Sequence, residues 1–178
     1  MDAATLRPAR LDEGELLEAL MKASTRELFP HFYDDAQTAS AVEYIAVVDR
    51  QLIEDGTYFA VEAAGEVVAC GGWSKRGKLY TGSGDAAGDD RLLDPRTEPA
   101  HVRAMFVRPD WTRRGLGTLI LEACEEAARA EGFTTLDLLA TLPGEPLYVH
   151  FGFREVGRDD AVMPDGCVLA CVAMTKPL

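Results

Sequence analysis

Six consecutive residues, Arg113-Arg114-Gly115-Leu116-Gly117-Thr118, have the types and spacing to hold an anion. Glycines let the backbone come close to a ligand. The first N–H groups of a helix lack internal acceptors and sit at the positive end of its dipole, so a helix opening at these glycines offers donors to phosphate oxygens. Two adjacent guanidiniums add fixed charge and forked donors. Arg108, Arg113 and Arg114 fall within seven positions of a chain whose formal net charge is -12, and this clustering implies a local anion. The Walker pattern G-x-x-x-x-G-K-[ST] is absent. So is the dinucleotide pattern G-x-G-x-x-G, because Ile120 takes the third glycine place. A bare G-x-G is a weak signal, and its bland alternative is a helix capped by an arginine-rich turn.

Positioning that segment takes a strand before it and a helix after it. Val102 to Val107 reads as the strand, ended by Arg108-Pro109-Asp110. Gly115 to Glu131 reads as the helix. Leu116, Leu119, Ile120, Ala123, Cys124 and Ala127 share its apolar face, and Gly132 is its C-cap. Upstream, Ala4 to Ala9 suggests an opening strand. A helix follows Asp12, a suitable N-cap, with Leu16, Leu17, Leu20 and Met21 at helical spacing. A second helix is expected from Asp35 to Ile53, stopped by Asp55-Gly56. Thr57 to Ala63 and Val67 to Trp73 form a hairpin through Gly65 and Glu66. Residues 75–100 make one long loop, of the kind that often serves as a lid. Downstream, Thr135 to Leu139 is a nearly all-apolar strand, Pro146 to Phe151 a short helix or turn, and Phe153 to Val156 and Val168 to Met174 closing strands. The order predicts an α/β (α+β) protein with a central sheet flanked by helices, in one domain over residues 1–178.

Composition narrows the function classes. A hydrophobic fraction of 47% beside 27% charged residues is globular rather than disordered. The acidic balance opposes nucleic-acid binding and suits either cationic substrates such as amines or solubility alone. Cys70, Cys124, Cys167 and Cys171 form no C-x-x-C pair, and with three histidines there is no metal pattern. No apolar run approaches the ~20 residues of a membrane span, and the acidic N-terminus lacks a signal-peptide layout. A reduced, cytoplasmic protein without membrane attachment is the expectation.

The stretch MFVRPDWTRRGLGTLIL resembles the core motif of the GNAT N-acetyltransferase superfamily, where an apolar strand ends in V-x-P before Q/R-x-x-G-x-G/A and a long amphipathic helix. Thr112 stands at the place of the Gln or Arg. Leu147-Tyr148-Val149-His150-Phe151-Gly152-Phe153 resembles the family's second element, [F/L]-Y-x-x-x-G-F. Thr141 and Gly144 replace the Asn and Ala that often precede that tyrosine. The likeness covers roughly Val61 to Val156; the first 56 residues match only in outline, as two helices of the kind that shape the acceptor site. It implies a mixed, mostly antiparallel sheet and acetyl-CoA as co-substrate. It further implies that Arg113, Arg114, Gly115, Leu116, Gly117 and Thr118 cradle the CoA diphosphate, while Met105, Phe106 and Val107 pair their backbone with the pantetheine arm.

The resemblance also implies direct attack by a primary amine in a ternary complex. A backbone N–H near Phe106 or Val107 is the expected oxyanion donor, and Tyr148 the expected acid toward the CoA sulfur. His101 lies where many relatives place a carboxylate facing the acceptor and titrates in a useful range, so it is the candidate base, ahead of Glu98 and Asp137. No spacing suggests a covalent nucleophile. Alternatives are a noncatalytic acyl-CoA-binding module or a longer acyl donor. The acceptor is expected to be a small-molecule or peptide amine, with Trp73 and Tyr80 as residues that would line its site or, for Trp73, fill the core. The oligomeric state is open from sequence, with closing strands such as Val168 to Met174 able to pair across a homodimer.

Overall fold

The computed structural model describes residues 4–80 and 90–178. Seven strands form one sheet: β1 (Thr5–Pro8), β2 (Tyr58–Ala63), β3 (Glu66–Ser74), β4 (Ala100–Val107), β5 (Thr135–Thr141), β6 (Arg154–Val162) and β7 (Val168–Pro177). Their order is β1-β2-β3-β4-β5-β7-β6. Every pairing is antiparallel except β4 with β5. Helices α1 (Gly14–Leu28), α2 (Asp35–Tyr44) and α3 (Arg50–Glu54) pack on one face, and α4 (Leu116–Ala130) and α5 (Glu145–Phe151) on the other. None of the described helices is long and apolar enough to cross a membrane.

Local chemistry sets the element ends. The β2–β3 turn is Ala64-Gly65, both at positive φ (52° and 78°), the two-residue geometry that matches strand twist; Glu66 already pairs with Ala63. The N-terminal helix begins after a single 3₁₀ turn, Leu11–Glu13. Its opening is organised by Glu13, whose carboxylate accepts from the Arg10 N–H at 2.9 Å and from the Arg7 guanidinium at 3.0 Å, so Asp12 is not the cap. Leu17, Leu20 and Met21 are buried, whereas Leu16 is 52% exposed and lies off the core face.

The helix expected from Asp35 to Ile53 is two helices. Asp49 caps α3 by accepting from the Gln51 N–H at 3.1 Å, and the preceding Val47-Val48 pair is β-branched, so the chain leaves the helix after Tyr44. Helix α4 agrees with its apolar periodicity, although Leu121 and Ala128 are fully buried where Ala123 and Ala127 are only partly so. Gly132 follows it at φ 90°, the left-handed C-terminal stop. Strand β5 is not uniformly buried: Leu136, Leu138 and Ala140 are inside, while Asp137, Leu139 and Thr141 are half-exposed. Both closing strands are longer than the sequence suggests. Strand β7 is flanked on both sides by β5 and β6, so it has no free edge for pairing across a dimer. Of the long loop, residues 81–89 lie outside the described residues; Arg76 and Leu92 form a bridge across its base.

Candidate active site

Strands β4 and β5 begin as neighbours and then part. Their pairing comprises Ala100 with Leu136 and His101 with Asp137, yet β4 continues to Val107 and β5 to Thr141. Beyond this vertex the middle of the sheet holds a gap. A bulge on β4 accounts for the bend: Phe106 opposes Cys70 and Arg103 opposes Gly72, so Ala104 and Met105 together face Gly71. Ala104 sits at φ 52°, a conformation that such bulges usually give to glycine. Its carbonyl accepts a hydrogen bond of 2.7 Å from the Tyr58 hydroxyl. Gly71 is needed opposite, because a β-carbon there would run into the Met105 side chain. The bulge also resets alternation: Ala100, Val102, Met105 and Val107 face α4, while Ala104 and Phe106 face α1.

The open edge of β4 is polar. The Arg108 N–H donates to the Val68 carbonyl at 2.9 Å across the β3 ladder. Strand alternation therefore turns the N–H and C=O of Phe106 toward β3 and those of Val107 toward the gap.

A cavity of about 840 Å³ occupies the gap and runs along β4 to the start of α4. There Gly115 is the N-cap at φ 80°, and no side chain caps the helix, so the amides of Leu116, Gly117 and Thr118 stay open. The two glycines serve different needs. Gly115 adopts a backbone conformation strained for other residues and has open space where a side chain would be. Gly117 makes room for Leu147 of α5, whose Cδ2 would lie 2.7 Å from an added β-carbon.

The three arginines divide. Arg108 is bound to Asp110 and Glu66, each at 2.7 Å, so it belongs to a surface ion-pair cluster rather than to an anion site. Arg114 lies over the Trp111 ring at 4.4 Å and donates to the Asp110 carbonyl at 3.2 Å. Arg113 is exposed at the cavity rim with no acidic partner among the described residues. Thr112 spends its hydroxyl on the Pro109 carbonyl at 3.0 Å. Open helix amides with one uncommitted guanidinium beside them fit a phosphate group.

Tyr148 of α5 lines the same cavity. It is 8% exposed, and its ring meets Phe153 edge-on at 5.8 Å. Burial pushes its phenol well above the ordinary value of 10, so the group keeps its proton at any working pH. The cavity thus brings together Met105, Phe106, Val107, Arg113, Gly115, Leu116, Gly117, Thr118 and Tyr148. Arg114 stands beside it on Trp111.

His101 is elsewhere. It is 6% exposed at the vertex of the two strands, hydrogen-bonded through Nδ1 to Asp137, and neither residue lines the cavity. Glu98 accepts from Arg91 at 2.6 Å and from the Asp94 N–H at 2.7 Å; the Arg91 guanidinium holds its carboxyl down at about 2. It is committed to the loop. Trp73 is core, 1% exposed and edge-on to Phe133 at 5.9 Å, whereas Tyr80 lines the cavity.

The α1 wall lies in the segment that the family resemblance assigns to the acceptor site, but nothing in the sequence reading singled out Ser24 on it. The signal was present: Leu17, Met21, Ser24 and Leu28 follow helical spacing, and a hydroxyl interrupts the apolar stripe.

Comparison with known proteins agrees with this architecture. The family model for the Acetyltransferase (GNAT) family matches residues 17–153. Among curated proteins none matches the chain. A solved GCN5-related N-acetyltransferase from Rhodopseudomonas palustris is 22% identical, covers 100% of this chain and 98% of its own, and superposes with a TM-score of 0.74. The PaiA N-acetyltransferase of Thermoplasma acidophilum, solved in complex with coenzyme A, is 12% identical, with 99% of both chains covered and a TM-score of 0.69. A ribosomal-protein-alanine N-acetyltransferase from Escherichia coli is 17% identical over 98% of this chain and 94% of that one, with a TM-score of 0.58. At such identities the likeness establishes the fold. The family match spans most of the sequence and takes in both the uncapped helix start and the tyrosine of α5, and the chain belongs to the GNAT acetyltransferase family.

Proposed function

We propose that the chain moves an acetyl group from acetyl-CoA to a primary amine by direct attack in a ternary complex, the whole chain acting as one catalytic domain. One observation carries the reading: the open edge of β4 leads along a single cavity to the uncapped start of α4, with Tyr148 on the same wall. The amides of residues 113–118 and the Arg113 guanidinium suit the diphosphate of CoA, and the Arg114 guanidinium adds charge from its seat on Trp111. The edge formed by Met105, Phe106 and Val107 suits the amides of the pantetheine arm, which would add as a strand does. Acetyl-CoA supplies an activated thioester.

In the transfer, the amine nitrogen bonds to the acetyl carbon, the carbon–sulfur bond breaks, and the amine gives up a proton. The Val107 N–H faces the gap and is assigned to the oxyanion; such donors are worth about 2.7–4 kcal/mol in other acyl transfers. Tyr148 is assigned to the departing sulfur. Its raised pKa makes complete proton transfer to a thiolate more uphill than the ~2 kcal/mol expected from the unperturbed values, so it acts as a hydrogen-bond donor that strengthens as sulfur charge develops. Proton removal is assigned to water in the cavity, since His101 lies at the vertex and does not line it. Neutralising an α-amine at pH 7 costs only about 1 kcal/mol, against about 4.6 for a lysine-type amine. Three buried, unpaired thiols, Cys70, Cys124 and Cys171, suit a reducing, cytoplasmic setting.

Release of CoA thiol with a panel of amines tests the reading. Turnover that requires both acetyl-CoA and an amine supports it. CoA binding without thiol release for any amine would favour a noncatalytic acyl-CoA-binding module.

A further inference from the structure

The cavity has a second half, on the α1 side of the gap. Its wall includes Leu28, Phe29, Ile45, Tyr80, Leu139 and Cys171, which belong to one apolar cluster spanning α1, α2, β5 and β7. No aspartate or glutamate lines the cavity among the described residues. The cation on this side, Arg103, is 3% exposed and already engaged: its Nη2 donates to Asp49 at 3.0 Å and its Nη1 to the Lys78 carbonyl at 3.1 Å. Burial pushes the Cys171 thiol up to about 11, so it stays neutral near pH 7.

Ser24 is the buried side chain on this wall that keeps its hydrogen-bonding capacity. It is 4% exposed and its hydroxyl has no partner among the described residues, whereas neighbouring Thr25 spends its own on the Met21 carbonyl at 2.9 Å. A serine hydroxyl both donates and accepts, so it can receive an amine N–H or hold a polar atom beside the amine. An ammonium that does not react would instead be buried against aliphatic and aromatic carbon without a counter-charge. The acidic surface of the chain attracts polycations, but the described residues of this wall offer them no carboxylate.

Resting on the acetyltransferase reading above, we infer that the acceptor is a monoamine carried on an apolar body, aromatic or branched aliphatic. Its amine end is steered by Ser24, and the apolar lining of the described residues disfavours polyamines and aminoglycosides.

The test begins with calorimetric titration of CoA. A chain that binds none overturns the acetyltransferase reading itself and this inference with it. The CoA-bound protein is then titrated with phenethylamine and with spermidine, and acetylation of phenethylamine, isopentylamine, spermidine and kanamycin is measured. The expected result is binding of phenethylamine but not spermidine, with kcat/KM for the apolar monoamines at least about tenfold above the polycations. Ser24→Ala should lower kcat/KM for phenethylamine about 3- to 10-fold, through KM more than kcat, and leave CoA binding intact. Ile45→Asp, which puts a carboxylate on the wall, should move the preference toward spermidine. Equal or faster acetylation of spermidine or kanamycin by the native protein overturns the inference. So does CoA binding with neither binding nor acetylation of phenethylamine.

Discussion

The Tyr58 hydroxyl holds the carbonyl of Ala104 at 2.7 Å, and Ala104 is the residue of β4 whose backbone turns left-handed. This bond crosses from β2 beneath β3 to the bulge that parts β4 from β5. Tyr58→Phe removes this donor from a half-buried carbonyl and should cost about 0.5–1.5 kcal/mol of stability in urea unfolding. It should also lower kcat, because the Val107 N–H loses its fixed aim. Loss of stability with unchanged kcat would show that the bulge is positioned without Tyr58.

Tyr148→Phe removes the donor facing the cavity and little else, since the ring packs against Phe153. A fall of about 10²-fold in kcat with CoA affinity retained is expected from stopped-flow and equilibrium titration. The Tyr148 phenol titrates above 10, so it stays protonated as pH rises through that value. A falling alkaline limb below pH 10 in the native enzyme should therefore persist in the variant if Tyr148 is assigned correctly.

Gly115 and Gly117 should respond differently to alanine. Gly115→Ala places a β-carbon on a backbone at φ 80° and should cost about 1–2 kcal/mol while weakening CoA binding. Gly117→Ala pushes on Leu147 and so on α5, which carries Tyr148. Its expected signature is a kcat defect larger than its effect on CoA affinity, measured by the same two assays.

Acid stability has identifiable anchors. The Arg7 guanidinium holds the Glu13 carboxyl below its ordinary 4.5, and Arg76 holds Asp55 below 3.8. A depressed folded pKa means that the stabilisation is complete above the ordinary value and is lost as pH falls through it toward the folded one. Urea midpoints should therefore drop below about pH 4.5. Glu13→Gln should lower stability at pH 7 by about 1–3 kcal/mol and flatten that acid limb. An unchanged limb would show that other carboxylates dominate it.

Much of this architecture was legible because its signals are local. Helix α4 announces itself by an apolar face between Gly115 and Gly132, and the hairpin by alternation around Ala64-Gly65. The GNAT family was recognisable from the same two segments that build one wall of the cavity. What escaped depends on residues far apart in sequence. The parting of β4 from β5 is written in a register shift against Gly71, and nothing in AHVRAMFV itself marks Ala104 as left-handed. The break after Tyr44 depends on Asp49 serving both α3 and Arg103. Arg108 looked like part of an anion site because Glu66, one of its two partners, lies 42 residues away, and neighbouring Asp110 pairs with it only through the turn they share. Ser24 was hidden for the opposite reason: a polar residue on a helical stripe gains meaning only once the facing strands are known to diverge.

The proposed acetyl-CoA site comprises the start of α4 and the open edge of β4. Two-dimensional ¹H–¹⁵N spectra of the uniformly labelled protein, recorded as CoA is added, read both at once. Saturable shifts are expected, concentrated at the amides of Arg113, Arg114, Gly115, Leu116, Gly117 and Thr118 and at Val107. Unmoved signals at these residues, with CoA-dependent shifts confined to other surfaces or absent, would contradict the proposed site.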